Sequence, residues 1–273
     1  MRHLLLFLTL LLAAALPAQT LTLLSYNIRY DNPGDGPDAW PQRRDFLAGQ
    51  LRFHHPDVFG VQEALKHQLD YLQEQLPEYA YVGVGRDDGR EAGEYSALFY
   101  RTDRFHALES GTFWLSETPD TVSKGWDAAL PRICTWALLA DSAGRRLRVL
   151  NTHFDHQGKE ARRHSAELLL EKMRAMAPAA PLALLGDFNS APDSKPIALL
   201  GAALHDARTH SAEPPFGPEG TFNGFRLLDP LGPRIDYIFV SPEIEVLQYA
   251  VFTDHRSGHY PSDHLPVLAR VRW

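Results

Sequence analysis

The chain has 273 residues, with 34 acidic against 27 basic side chains and a formal net charge of −7. Non-specific affinity for nucleic acid comes largely from Lys and Arg that neutralise phosphates, so this balance argues against a general nucleic-acid binder and leaves only a local basic groove open. Cys134 is the one cysteine, which removes intramolecular disulfides from the account, and its setting in PRICTWALLA reads as a buried strand position.

In chain order, Arg2 precedes an apolar run from Leu4 to Leu16, and LPA places small residues before Gln19. That is the pattern of a removable export leader over 1–18. The run is shorter than the roughly 20 apolar residues of a membrane span. The expectation is an exported protein, periplasmic or extracellular, without a stable membrane span. Its residues 19–273 are expected to form one domain, because a chain of about 250 residues can bury a sizeable core.

Strands are predicted over 21–28, 57–62, 79–85, 95–101, 106–115, 133–141, 147–154, 182–188, 235–241 and 267–273, mixing alternation of period two with fully apolar stretches. A short helix over 43–53 is stopped by Pro56. Leu65, Leu69, Leu72 and Leu76 line one face of a second helix, and Leu168, Leu169, Met173 and Met176 one face of a third, running from about 159 to 177. Helices separated by many strands suit two packed sheets flanked by helices. The connections over 31–40 and 116–131 are long and irregular, as binding segments often are.

Charge is concentrated where apolar strands end. LTLLSYN ends in Asn27, DVFGVQE in Glu63, LRVLNTHFDH in Asn151, His153, Asp155 and His156, and LALLGDFN in Asp187 and Asn189. Four such ends imply a shared cleft at one sheet edge. In extended chain, residues i and i+2 point the same way, so Asp187 and Asn189 address one ligand while Phe188 packs behind. Mg2+ and Mn2+ favour carboxylate, amide and water oxygens, and Asn27, Glu63, Asp187, Asn189 and Asp263 are ligands of that kind. No HExxH pair or cysteine cluster supports zinc. Asp236, in the apolar strand of RIDYIFVS, needs a partner when buried, and Arg234 and His264 are the two candidates.

Taken in order, YNIRYDN, GVQE, NTHFDHQG, GDFN, RIDYIF and SDHLPV resemble the endonuclease/exonuclease/phosphatase superfamily, over about Leu21 to Trp273. The blocks VGVGRDDGREAGEYSALFYR and SGTFWLSETPDTVSKGWDAALPRICTW look like those of its exported bacterial subgroup. The resemblance implies a DNase I-like four-layer α/β sandwich, with two central, mostly antiparallel sheets flanked by helices and the active site at one edge. It implies a Mg2+- or Mn2+-dependent phosphoric ester hydrolase with in-line water attack. Glu63 then matches the principal metal carboxylate, with Asn27 beside it and Asp263 in support. Asp187 matches the acid that activates or orients water, and Asn189 the neighbouring amide. His153 and His264 match the imidazoles on the phosphate, and Asp236 the acid that orients His264. Arg29 stands where abasic-site endonucleases carry an acid, which makes it a phosphate contact or a salt bridge. Asp155 and His156 either enlarge the polar site or cap a turn.

The expected substrate is a small-molecule or lipid-like phosphoester, with the chain acting as a monomer. Lys124, Trp126, Asp127, Arg132 and Arg101 are candidates for lining a head-group pocket, or are ordinary solvated surface. A secreted nuclease is the alternative. It ranks lower here because the basic residues are dispersed, with ARRH (161–164) and GRRLR (144–148) the only small clusters.

Overall fold

The computed structural model describes residues 19–176 and 180–273, so the expected leader over 1–18 and the last residue of the predicted third helix lie outside the described residues. In chain order the elements are β1 (Thr20–Asn27), α1 (Trp40–His54), β2 (Val58–Ala64), α2 (Lys66–Gln75), β3 (Tyr79–Val82), β4 (Tyr95–Arg101), β5 (Phe105–Trp114), β6 (Ile133–Asp141), β7 (Arg146–His153), α3 (Lys159–Ala175), β8 (Leu182–Asp187), α4 (Lys195–Gly201), β9 (His205–Asp206), β10 (Asp236–Val240), β11 (Glu245–Val251) and β12 (Val267–Arg272). They build two six-stranded sheets, ordered β11-β12-β1-β2-β4-β3 and β5-β6-β7-β8-β10-β9. Only β1 with β2 and β7 with β8 pair in parallel; every other named pairing is antiparallel.

Three apolar clusters make this a four-layer sandwich, as expected. Leu21 and Leu23 of β1 meet Ala183 and Leu185 of β8 and Ile238 and Val240 of β10 between the sheets. The alternate residues Leu24 and Tyr26 face outward onto α1 and α2 through Leu47, Leu51, Leu69 and Leu72. Leu182, Leu184 and Phe188 face the opposite outer layer, where Ala166, Leu169 and Leu200 of α3 and α4 cover them. The two-residue period of a strand thus sorts each strand's side chains into an inter-sheet set and a helix-facing set.

That sorting positions the site. Asn27 shares the parity of Leu21 and Leu23, Asp187 that of Ala183 and Leu185, Asp236 that of Ile238 and Val240, and His153 that of Leu147 and Val149. All four therefore fall on the inter-sheet side, where the apolar filling gives out at one rim. In the second sheet the register sets His153 opposite Asp187 and Asp187 opposite Asp236, a row across three neighbouring strands.

Glu63 departs from this rule. The register of β2 against β4 shifts between Val61 and Ala64, and Glu63 adopts a left-handed backbone with φ of 63°. Such bulges re-aim side chains beside active sites. Farther back, Gly60 lets the sheets close: a Cβ there would lie 2.6 Å from Asn151. Asn151 is wholly buried and donates to the carbonyls of Val61 and Ala97 while accepting from Gln62 at 2.6 Å, so it ties the sheets together and does not reach the cleft.

The strand expected over 79–85 stops at Val82. β11, which no predicted strand covers, is an edge strand with a register shift between Val246 and Gln248, and that shift breaks the alternation by which a strand is recognised.

Candidate active site

At the rim, Asn27 Nδ2 donates to Glu63 Oε1 at 3.1 Å and to Asp187 Oδ2 at 3.0 Å. Asp187 Oδ1 accepts the Asn189 backbone N–H at 2.9 Å. Since β8 ends at Asp187, strand alternation does not place Asn189; a left-handed backbone with φ of 46° does, and its Nδ2 donates to the Phe154 carbonyl at 2.9 Å. Phe188 packs edge-on against Phe154, Tyr237 and Phe239 behind the site, as its parity requires.

Asp236 resolves in favour of His264: His264 Nδ1 lies 2.9 Å from Asp236 Oδ2, while Arg234 pairs with Asp206 at 2.7 Å. Burial alone would lower the His264 pKa, but the Asp236 and Asp187 carboxylates outweigh it and hold the imidazole well above its ordinary value. His153 is the reverse. Burial first, then the Arg132 and Arg86 guanidiniums, hold it well below the ordinary value, so it is neutral. One cleft therefore carries a cationic and a neutral imidazole, a division of acid and base roles set by environment. Burial, with the opposing Asp236 carboxylate adding, pushes Asp187 up to about 7. Burial also raises Asp263, with Glu63 adding to the effect.

These carboxylates fit a divalent cation. Among the described residues, Asp187, Asp236 and His264 form a buried cluster whose ligand atoms lie within 4.8 Å of one another, able to coordinate an ion such as Mg2+ or Mn2+. Asp236 Oδ1 is buried without a hydrogen-bond partner among the described residues. Glu63, Asp187 and Asp263 all line one cavity of about 500 Å3, and a bound cation would offset the burial, and the carboxylate repulsion added to it, that raise Asp187 and Asp263. A cation in such a site polarises a phosphoryl oxygen and favours deprotonation of bound water.

The same cavity takes in Arg29, His153, Asn189, His264, Arg132 and His156. Arg29 forms the salt bridge of the two alternatives. Its guanidinium makes two 3.0 Å bonds to Asp35 and stands 3.9 Å from Glu63 and from Asp263 on the cavity wall. Asp155 caps a turn: it accepts the N–H groups of Gln157 and Gly158 and lies 3.5 Å from Arg132.

Four candidates stand elsewhere. Arg101 is at the far end of β4, paired with Asp57 and Asp103; β4 runs antiparallel to β2, so its last residue lies at the opposite rim. Asp127 accepts the N–H groups of Glu160 and Ala161 and serves as a cap for α3 supplied from another loop. Trp126 stacks on His164 of α3 at 4.8 Å, and neither it nor Lys124 lines the cavity. By the same reversal, the start of β4 reaches the site: Glu94, just before Tyr95, lines the cavity and holds Arg86 through bonds of 2.7 and 2.8 Å. Burial and Glu63 push Glu94 up to about 7 against Arg86 and Arg132. Glu94 precedes its strand as a lone acid, so the concentration of charge at strand C-terminal ends does not reveal it.

The model of the Endonuclease/Exonuclease/phosphatase family matches residues 24–264. A solved endonuclease/exonuclease/phosphatase family protein from Bacteroides thetaiotaomicron is 42% identical with a TM-score of 0.91, covering 94% of this chain and 99% of that one. A mannosyl-6-phosphatase from the same organism is 43% identical with a TM-score of 0.88, over 92% of this chain and 99% of that one. The CCR4-Not complex 3'-5'-exoribonuclease subunit Ccr4 of Emericella nidulans is 23% identical over 355 residues, 94% of this chain and 52% of that one. The chain spans between 37% and 59% of the length of the curated relatives it matches. The expected ranking of partners is corrected here: with an exoribonuclease subunit and carbon catabolite repressor protein 4 homologs among the relatives, a nucleic-acid substrate stands at least level with a small or lipid-like one. Net charge averages over the whole surface and does not rule out a local nucleic-acid site. With the family match over most of its length and the metal-dependent phosphoesterase site at its rim, the chain belongs to the endonuclease/exonuclease/phosphatase family.

Proposed function

We propose that this metal-dependent phosphoesterase cuts a phosphoester carried on a sugar ring at the end of a nucleic-acid strand. The observation that carries the reading is a pair of adjoining cavities, of about 500 and 460 Å3, that share Arg29, Phe222 and Asp263. The first has room for one sugar-phosphate unit over the catalytic floor, and the second continues past Phe222 for the next. A free sugar phosphate is the second reading, favoured by the 43% identity with a mannosyl-6-phosphatase.

In either case Asp187 would hold a divalent cation with the neighbouring carboxylates Glu63, Asp236 and Asp263 and the Asn27 amide, and the cation would supply charge neutralisation at the phosphoryl oxygens. Asp187 orients the attacking water and accepts its proton, a role suited to a base near neutral pH. Asn189 holds that carboxylate from below through its backbone N–H. The new P–O bond forms as the bond to the leaving oxygen breaks, and the leaving oxygen takes a proton from solvent water while Asp187 later returns its proton to solvent. His264, kept cationic by Asp236, and neutral His153 donate to the phosphoryl oxygens. If 1–18 is a leader, the reaction takes place outside the cytoplasm; mass spectrometry of the product recovered from cell fractions checks this.

The test is turnover with Mg2+ or Mn2+ against EDTA, on single-stranded RNA and DNA oligonucleotides and on hexose phosphates. Asp187→Ala and His264→Ala are each expected to lower kcat by about 10²–10⁴-fold. Full activity in both variants, or turnover unaffected by EDTA, overturns the assignment.

A further inference from the structure

Arg132, a candidate for lining a head-group pocket or for solvated surface, is neither free surface nor an open donor, because its bonds are spent on other side chains. It is 5% exposed, and its two terminal nitrogens divide between two rings: Nη1 lies 2.9 Å from His153 Nδ1 and Nη2 lies 3.0 Å from His156 Nδ1. The guanidinium is held in that pose by Asp155 at 3.5 Å and Glu94 at 3.9 Å.

A guanidinium only donates, and a neutral imidazole has one accepting and one donating nitrogen. With Nδ1 of each ring accepting from Arg132, the proton of each ring must sit on Nε2. For His153 that N–H points into the cleft, 3.4 Å from Asp187 Oδ2, too long for a strong hydrogen bond, which leaves it for a phosphoryl oxygen of the substrate. Asn189 Nδ2, 3.0 Å from the same nitrogen, is then a neighbour and not a donor to it, and its hydrogen bond goes to the Phe154 carbonyl. His156 lines the cavity wall beside Leu130 and Arg132, and its Nε2 lies 3.2 Å from the Gln157 side-chain amide, which must turn its oxygen to that nitrogen when the proton is there.

We infer that Arg132 is a positioning residue, a fork that locks both imidazoles in the Nε2–H tautomer, and that His156 joins His153 as a second neutral donor to the phosphoryl oxygens of the substrate. The arrangement adds a hydrogen-bond donor without adding charge. It also accounts for the buried Arg86–Glu94–Arg132 chain, whose carboxylate sits between two guanidiniums and fixes the fork. The inference rests on the phosphoesterase reading above for the role of His156, while the tautomers stand apart from it.

Long-range 1H–15N NMR of the histidine-labelled protein, with Mg2+ and with EDTA, reports which nitrogen of each ring is protonated. The wild type is expected to show Nε2–H at both His153 and His156. Arg132→Ala should give mixed tautomers and lower kcat/KM by about 10²-fold, the loss of a buried charge-assisted pair. Guanidinium added to that variant should restore both the tautomers and the turnover. Arg132→Lys, a single point donor, should restore at most one ring. His156→Ala should raise KM about tenfold with kcat within threefold, as for a hydrogen bond made equally in ground and transition states. An Nδ1–H tautomer at either ring in the wild type overturns the inference, and that measurement holds even if Arg132→Ala does not fold. Unchanged tautomers in a folded Arg132→Ala also overturn it. Absence of turnover on every phosphoester instead sinks the proposed function and leaves the fork to be decided by the NMR result.

Discussion

Asp187 is buried and faces Asp236 across two antiparallel strands, and burial first, then this unfavourable like-charge pair, keeps Asp187 protonated up to about pH 7 when no cation is present. The unfolded chain gives up that proton near its ordinary value of 3.8. The cation-free folded state therefore binds more protons than the unfolded state between about pH 4 and 7, and stability falls as pH rises through that window; Glu94, also pushed up to about 7, adds in the same direction. A divalent cation displaces the Asp187 proton, so its binding strengthens with pH. Thermal unfolding with EDTA and with Mg2+ at pH 5 and pH 8 should show the larger Mg2+-induced rise in Tm at pH 8. An equal rise at both values would mean that Asp187 is not coupled to the cation.

Glu63, Asn189 and Arg29 share one device at the level of elements. Each leaves regular strand geometry with a positive φ, of 63°, 46° and 56°, a conformation that costs energy for residues other than glycine and persists only where the surroundings enforce it. The enforcement comes from the closed sheet pair behind them, where Asn151 crosses between the layers over Gly60. Gly60→Ala would press a methyl group to 2.6 Å from the Asn151 side chain and displace its bonds to Val61 and Ala97. The expected loss is about 2 kcal/mol in urea unfolding, with turnover reduced because the Glu63 bulge is the next turn of the same strand. Unchanged stability would show that the sheets can part there without cost. The sequence carried no sign of these three backbone turns, because side-chain periodicity reports where a regular strand runs and says nothing of how it ends.

Across the whole molecule, the adjoining cavities make a prediction about length. If the second cavity takes the next unit of a strand, kcat/KM should rise from a mononucleotide to a dinucleotide and level off after a few nucleotides. A protein built for free sugar phosphates would favour the monomeric substrate. Competition between a short oligonucleotide and a hexose phosphate under matched ionic strength measures the preference directly. The result must be read at several salt concentrations, since strand binding alone loses affinity as counterions are added.

The sequence by itself determined the layers, the strands around the site and most of the catalytic chemistry. Short-range periodicity encodes which face of an element is apolar, and GVQE, NTH, GDFN, RIDYIF and SDHLPV each set their acids, amides and imidazoles beside a strand. Tertiary structure alone decided which rim those residues share. Strand direction moved Arg101 away and brought Glu94 in. A loop contact turned Asp127 into a helix cap, and packing buried Arg132 between two imidazoles. Those outcomes depend on pairings between residues far apart in the chain, and local residue patterns carry no record of which distant strand will lie alongside or in which direction it will run.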